Sequence, residues 1–175
     1  MAIDALVKPF LRLPLFKGLK PLQLTEIVRR AERIVYRPGQ PIIEEDKVGD
    51  AAVVIVAGDA VIVRDGEDAA TADPIAEGSM VGELAMLVET VHTATVIAKT
   101  PVRALRLTRS EMQDLMMEEP ALAEHFSSKI TERLVVLANE LKAIDQALAE
   151  IATLDSSAVA ATVPAGLPHT SAMLH

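Results

Sequence analysis

One stretch of the sequence carries residues whose types and spacing suit chemistry. It runs Gly82-Glu83-Leu84-Ala85, then six residues, then His92-Thr93-Ala94-Thr95-Val96. A Gly turn that enters a short helix leaves backbone N–H groups pointing outward, and such a helix start attracts anions. Glu83 places a carboxylate at the same start. A carboxylate is a poor partner for a bare phosphate. It suits a ligand that also offers hydroxyls for the carboxylate to accept. Phosphate and sugar together describe a nucleotide.

These residues resemble the phosphate-binding cassette of the cyclic-nucleotide-binding domain family, of the kind found in catabolite activator protein-like effector domains. The family pattern is Gly-Glu-Leu-Ala, a short spacer, then Pro-Arg-x-Ala-Thr-Val. Gly82, Glu83, Leu84, Ala85, Ala94, Thr95 and Val96 match it in register, whereas Val91 stands where Pro is usual and His92 where Arg is usual. The resemblance implies that Glu83 accepts the ribose 2′-hydroxyl. It also implies that the N–H groups of Leu84 and Ala85 receive the cyclic phosphate, with help from Thr93. In the family the Arg pairs with that phosphate through a two-pronged, charge-assisted bond. His92 cannot reproduce the fork, and a histidine's ordinary pKa near 6.5 leaves it mostly neutral at pH 7. Three roles stay open for His92: a weaker, pH-tuned phosphate contact, a spectator in a pocket that has lost its ligand, or a ligand to haem iron or another metal. The resemblance also implies that residues just after an Arg-Leu pair on the long helix contact the base, and here they are apolar. Arg133-Leu134 is followed by Val135, Val136, Leu137 and Ala138, so Val61, Val63 and Leu137 would hold a purine with little discrimination between bases.

The elements that must position these residues follow from periodicity. Residues 1–31 read as a helical lead-in, with Ile3, Leu6, Val7, Phe10 and Leu11 at helical spacing and Pro21 opening a second helix. Residues 32–109 turn to period two and predict eight short strands separated by Gly-, Pro- and Asp-containing turns, with the cassette at 78–98. Ala51–Ala57 is almost continuously apolar, as in a strand buried on both faces. The fold expected is mainly β with flanking helices: a cyclic-nucleotide-binding β-roll, or jelly roll, plus a long C-terminal helix. Residues 110–154 predict that helical part. Leu134, Leu137, Leu141, Ile144, Leu148 and Ile151 recur at spacings of 3, 4, 3, 4 and 3, the seam of a coiled coil. That seam predicts a homodimer through residues 130–152. Residues 155–175 lack periodicity and read as a disordered tail.

Composition narrows the function. The 175 residues are 50% hydrophobic, with a net charge of −8, which disfavours general nucleic-acid binding. Residues 1–35 hold seven Lys/Arg against three Asp/Glu, a local +4, so the remainder carries −12. That basic segment would suit an acidic partner, or it is a solvated surface. The absence of Cys excludes disulfides and thiolate metal sites and suits the cytoplasm. No apolar run is long enough to span a membrane. The chain stops where family transcription factors carry a helix-turn-helix domain, so DNA binding is not expected. No catalytic constellation can be assembled, and no metal is predicted beyond the haem option. The sequence therefore points to a non-enzymatic regulatory module for a cyclic nucleotide (cAMP or cGMP), acting on an unknown downstream protein. The alternative is a degenerate domain kept for dimerisation and protein interaction.

Overall fold

The computed structural model describes residues 3–64 and 72–160. The turn expected at Asp65–Asp68 and the tail beyond Ala160 lie outside the described residues. The chain divides into two units, residues 1–129 and 130–175.

The first unit opens with α1 (Ile3–Arg12), a 3₁₀ turn at Pro14–Phe16 and α2 (Pro21–Arg30). Ten strands follow among the described residues: β1 (Glu32–Tyr36), β2 (Pro41–Ile43), β3 (Val48–Gly49), β4 (Ala51–Ala57), β5 (Ala60–Val63), β6 (Asp73–Ile75), β7 (Met80–Val81), β8 (Thr90–Val91), β9 (Thr95–Ala98) and β10 (Val102–Thr108). A 3₁₀ turn at Glu83–Met86 separates β7 from β8. Helix α3 (Arg109–Glu118) and α4 (Pro120–Ala160) complete the chain. Several of these strands are only two residues long. Pairing between distant segments defines such strands, and no periodicity announces them, which is why the sequence yields eight.

All pairings are antiparallel. One sheet has the order β1-β10-β4-β7, a second β2-β9-β5-β6, and β3 pairs with β8 alone. The sheets close on a core of Tyr36, Ile42, Val53, Ile55, Val96, Val102 and Ala104. Strand β4 is buried from Ala51 to Ile55 and only half-buried at Val56 and Ala57. The continuous apolar run in its sequence is therefore used on both faces for most of its length. One face meets this core and the other meets the helices.

The helices pack through an aromatic chain. Phe10 meets Phe16 edge to face at 5.1 Å between centroids, and Phe16 meets Phe126 at 5.8 Å. All three are fully buried. His125 Nε2 lies 2.9 Å from the Leu15 carbonyl and fixes the start of α4 against the Pro14–Phe16 turn. Gln23 of α2 donates to Glu119 Oε1 at 2.6 Å, and Arg30 pairs with Glu118. That pairing holds the Glu118 carboxyl below its usual range and the Arg30 guanidinium above its own, but both groups are in solvent and the pair contributes little. Burial pushes the Tyr36 phenol up, with Arg106 opposing the shift.

The second unit is helical from residue 130 to Ala160. The helix thus continues past residue 154, and residues 155–160 are helical where sequence implied a disordered tail. Ala, Ser and Asp tolerate a helix that is already nucleated, so weak periodicity alone did not end it. Leu134, Leu137, Leu141, Ile144, Leu148 and Ile151 are all exposed.

Phe126 closes the aromatic chain at zero to one per cent exposure along with its neighbours. Phe126→Ala is expected to destabilise the first unit by about 3–5 kcal/mol, read as a lower denaturation midpoint with an unchanged denaturant slope. A loss below about 1 kcal/mol would show that the site collapses around the gap.

Candidate functional site

The cassette turns at Gly82, which sits in the left-handed region at φ 66°, ψ 29°. An L side chain rarely adopts that conformation. The turn feeds the 3₁₀ segment Glu83–Met86, anchored by buried Ala85 and Met86. Glu83 is half-buried at its start. The Ala85 N–H donates to the Gly82 carbonyl at 2.9 Å, so one of the two amides expected to face phosphate closes the turn instead. Leu84 enters the segment with an N–H that has no acceptor inside it. The Leu84 carbonyl accepts from both Leu87 and Val88.

His92 is set from the other side. Its N–H donates to the Lys47 carbonyl and its own carbonyl accepts from Asp46 N–H, both at 3.0 Å. These bonds extend the β3–β8 ladder, in which Gly49 opposes Thr90. The imidazole consequently lies over two glycines. A β-carbon on Gly49 would come within 2.6 Å of His92 Cε1 and of Ala85 Cβ, and one on Gly82 within 3.0 Å of His92 Cε1. The ring occupies a slot that exists because both positions lack side chains. Thr93 is exposed beside it, and Thr95 Oγ1 accepts from Glu45 N–H at 3.0 Å.

On its open side His92 borders a polar cavity of about 170 Å³, shared with Glu44, Lys47, Asp50 and Arg106 over a floor of Ile42 and Val53. Arg106 Nη2 donates to both Asp50 oxygens, at 2.9 and 2.7 Å, and Nη1 reaches Glu32 at 3.4 Å. Its hydrogen bonds to Asp50 and Glu32 and their charges raise the guanidinium further, against the opposing effect of burial. The adjacent backbone is gripped as well. Arg109, first residue of α3, donates Nη2 to the Gly49 carbonyl at 3.2 Å, and its N–H donates to the Asp50 carbonyl at 2.7 Å. Arg109 Nη1 is buried with no hydrogen-bond partner.

Gly82, Ala85 and His92 are therefore in contact, and Glu83, Leu84 and Thr93 flank them in sequence. Val61 is different. It is 2% exposed and lines a separate cavity of about 460 Å³ with Asp59, Pro74 and Lys99. Val63, two residues on, is half-buried. Leu137 lies on the helix of the second unit and is exposed. Sequence reasoning missed Asp50, Arg106 and Arg109. A signal for Arg106 was present: Val102, Ala104 and Arg106 share one face of β10, so a cation takes an inward position in an apolar series. Among the described residues no group of three or more His, Cys, Asp or Glu is placed to hold a metal ion. No helix among them is long and apolar enough to cross a membrane.

Comparison with known proteins agrees with this architecture. Residues 33–119 match the family model described as cyclic nucleotide-binding domain. A cAMP-dependent protein kinase regulatory subunit from Aspergillus fumigatus is 33% identical over 103 residues, which is 59% of this chain and 25% of that protein. A cGMP-dependent protein kinase from Caenorhabditis briggsae is 34% identical over 119 residues, 66% of this chain and 16% of that protein. The chain thus spans about a quarter or less of the length of these relatives. Among solved structures, a cyclic nucleotide-binding-like protein from Brucella abortus superposes with a TM-score of 0.60 at 26% identity, covering 65% of this chain and 99% of that one.

The slot gives a direct test. Gly49→Ala forces a β-carbon against both His92 and Ala85. It should cost about 1–3 kcal/mol of stability and shift the His92 ring resonances in an NMR spectrum. Unchanged ring resonances would place the imidazole outside the slot.

Proposed function

Because the chain belongs, through residues 33–119, to the cyclic nucleotide-binding domain family, we propose that it is a non-enzymatic regulatory module that binds a cyclic nucleotide, cAMP or cGMP. The observation that carries this reading is the glycine-lined slot beside Glu83 with an imidazole in it. Its chemistry suits a sugar phosphate: a helix-start amide at Leu84, a carboxylate at Glu83 for ribose, and His92 as the single titratable donor between Gly49 and Gly82. No residue here has the bidentate reach of an arginine on the cassette itself. The His92 imidazole offers phosphate one hydrogen bond where an arginine would offer a forked pair.

The route from the slot to the helices runs through Gly49. A phosphate that moves the His92 ring releases its contact with Gly49, whose carbonyl holds Arg109 at the first turn of α3. Arg109 carries a spare donor in Nη1, so the guanidinium can re-pair as Gly49 shifts. Repacking of α3 would then bias α4, with which it is nearly continuous in sequence. The exposed 3-4-3-4-3 seam of α4 supports a homodimer as the element that reads the change.

A second reading has one observation in its favour: the His92 ring already fills the slot. In that case the domain dimerises and docks a partner without ligand. Calorimetric titration with cAMP and cGMP separates the two. Binding is expected, and His92→Arg should tighten it about 10–100-fold by restoring a forked, charged donor to the phosphate. Absence of heat with millimolar ligand in both proteins rejects the sensor reading.

The dimer is tested apart from ligand. Leu141→Asp with Leu148→Asp should convert a dimer to monomer in sedimentation analysis while leaving the melting of the β domain unchanged. A wild-type chain that sediments as a monomer removes the dimer from the proposal.

A further inference from the structure

The outer face of the β1-β10-β4-β7 sheet has a feature that the nucleotide site does not use. Strand β1 is the edge of this sheet. In the register, Arg33 opposes Leu105 and Val35 opposes Arg103, so these four side chains share one face. Arg33 and Arg103 are diagonal neighbours, with backbones about 7–8 Å apart. Between them lies a groove of about 140 Å³ with a floor of Leu6, Val35, Val56 and Leu105. Val35 is 62% exposed, large for a valine inside a strand.

The two arginines supply the charge of this face. Arg29, Arg30 and Arg106 each meet a carboxylate. Among the described residues, the side chains of Arg33 and Arg103 have no hydrogen-bond or ion-pair partner, while their backbones belong to the β1–β10 ladder. They stand together on a protein of net charge −8. The basic character of the first 35 residues reaches this groove through Arg33.

We infer that this face docks an extended acidic peptide of a partner protein, laid beside β1, with one apolar side chain in the groove between two carboxylates. An edge strand presents unpaired amides and carbonyls, which an extended chain can complete. Alternate residues of such a chain face the same way as Arg33 and Val35. The apolar floor takes the central side chain, and each guanidinium takes one carboxylate in a forked pair. A nucleic acid fits poorly, because the rest of the acidic chain repels it while only two cations attract it.

The probe is a fluorescein-labelled, capped nonapeptide with Glu, Leu and Glu at alternate positions and Ser or Thr between them, read by anisotropy at low salt. Saturable binding at about 10–100 μM is expected, weakening as salt is raised. Arg33→Glu with Arg103→Glu should weaken it at least about tenfold, because attraction at both ends becomes repulsion. Arg33→Gln with Arg103→Gln should weaken it in the same direction by less. All variants should melt with the wild type, since every altered residue is on the surface. Affinity indifferent to both double variants overturns the inference. So does failure to saturate at about 1 mM peptide, or capture by phosphatidylserine vesicles in place of the peptide. Cyclic nucleotide titrations of the Arg33/Arg103 variants should match the wild type, so failure here leaves the sensor reading standing.

Discussion

Two glycines without room for a β-carbon hold one imidazole, and much of the surrounding architecture follows from that contact. Gly49 belongs to a two-residue strand, Gly82 to the turn that opens the cassette, and His92 to the segment after β8. Gly49 lies far from the other two in sequence. The β3–β8 ladder brings the first and third together, and the left-handed turn at Gly82 brings the second. The slot is also braced at its base: Arg109 holds the Gly49 carbonyl, and Arg106 holds the neighbouring Asp50 side chain by two hydrogen bonds. A displacement of the ring therefore acts on Gly49, whose carbonyl is tied to the first turn of α3.

Charge is arranged around this slot in a way that separates holding from binding. Arg106 faces inward but is matched by Asp50 and Glu32, so its guanidinium braces the wall of the cavity and has little left for an incoming anion. Lys47 is exposed at the rim. His92 is the group that lies in the slot itself and faces the cavity. An arginine at position 92 would bring a permanent charge and a long reach. A histidine brings a shorter reach and a flat ring that fits between two glycine backbones. A histidine here thus gives up the forked phosphate pairing for a ring that covers the slot.

The fold was largely legible from the chain because its signals are local. The apolar run of Ala51–Ala57, the alternation of Val102–Leu107 and the heptad seam from Leu134 each announce their element within a few residues. The site was legible only in part. Gly82, Glu83 and His92 could be named from their order, yet the placement of the His92 ring depends on Gly49, more than 30 residues away. Val61 was assigned to the ligand for its apolar character, whereas packing buries it beside a different cavity. Apolar residues on a roll strand have two faces to choose from, and composition does not choose between them. The helix also runs past the end expected at residue 154, because a helix already nucleated needs no periodic apolar pattern to propagate.

The same distinction explains why Arg33 and Arg106 look alike in sequence and differ in structure. Each is an arginine in an alternating strand. Register with the neighbouring strand assigns them to opposite faces of one sheet: Arg106 opposes Glu32 on the interior side, and Arg33 opposes Leu105 on the exterior side. The inward cation is partly desolvated, and the two carboxylates beside it offset that cost. The exterior cation loses little by standing alone in water, so folding places no demand on its partner. An unpaired surface arginine beside an apolar groove is accordingly weak evidence about stability. Its evidence concerns recognition, because a sheet edge and two free guanidiniums on a protein this acidic define the chemistry of what can approach.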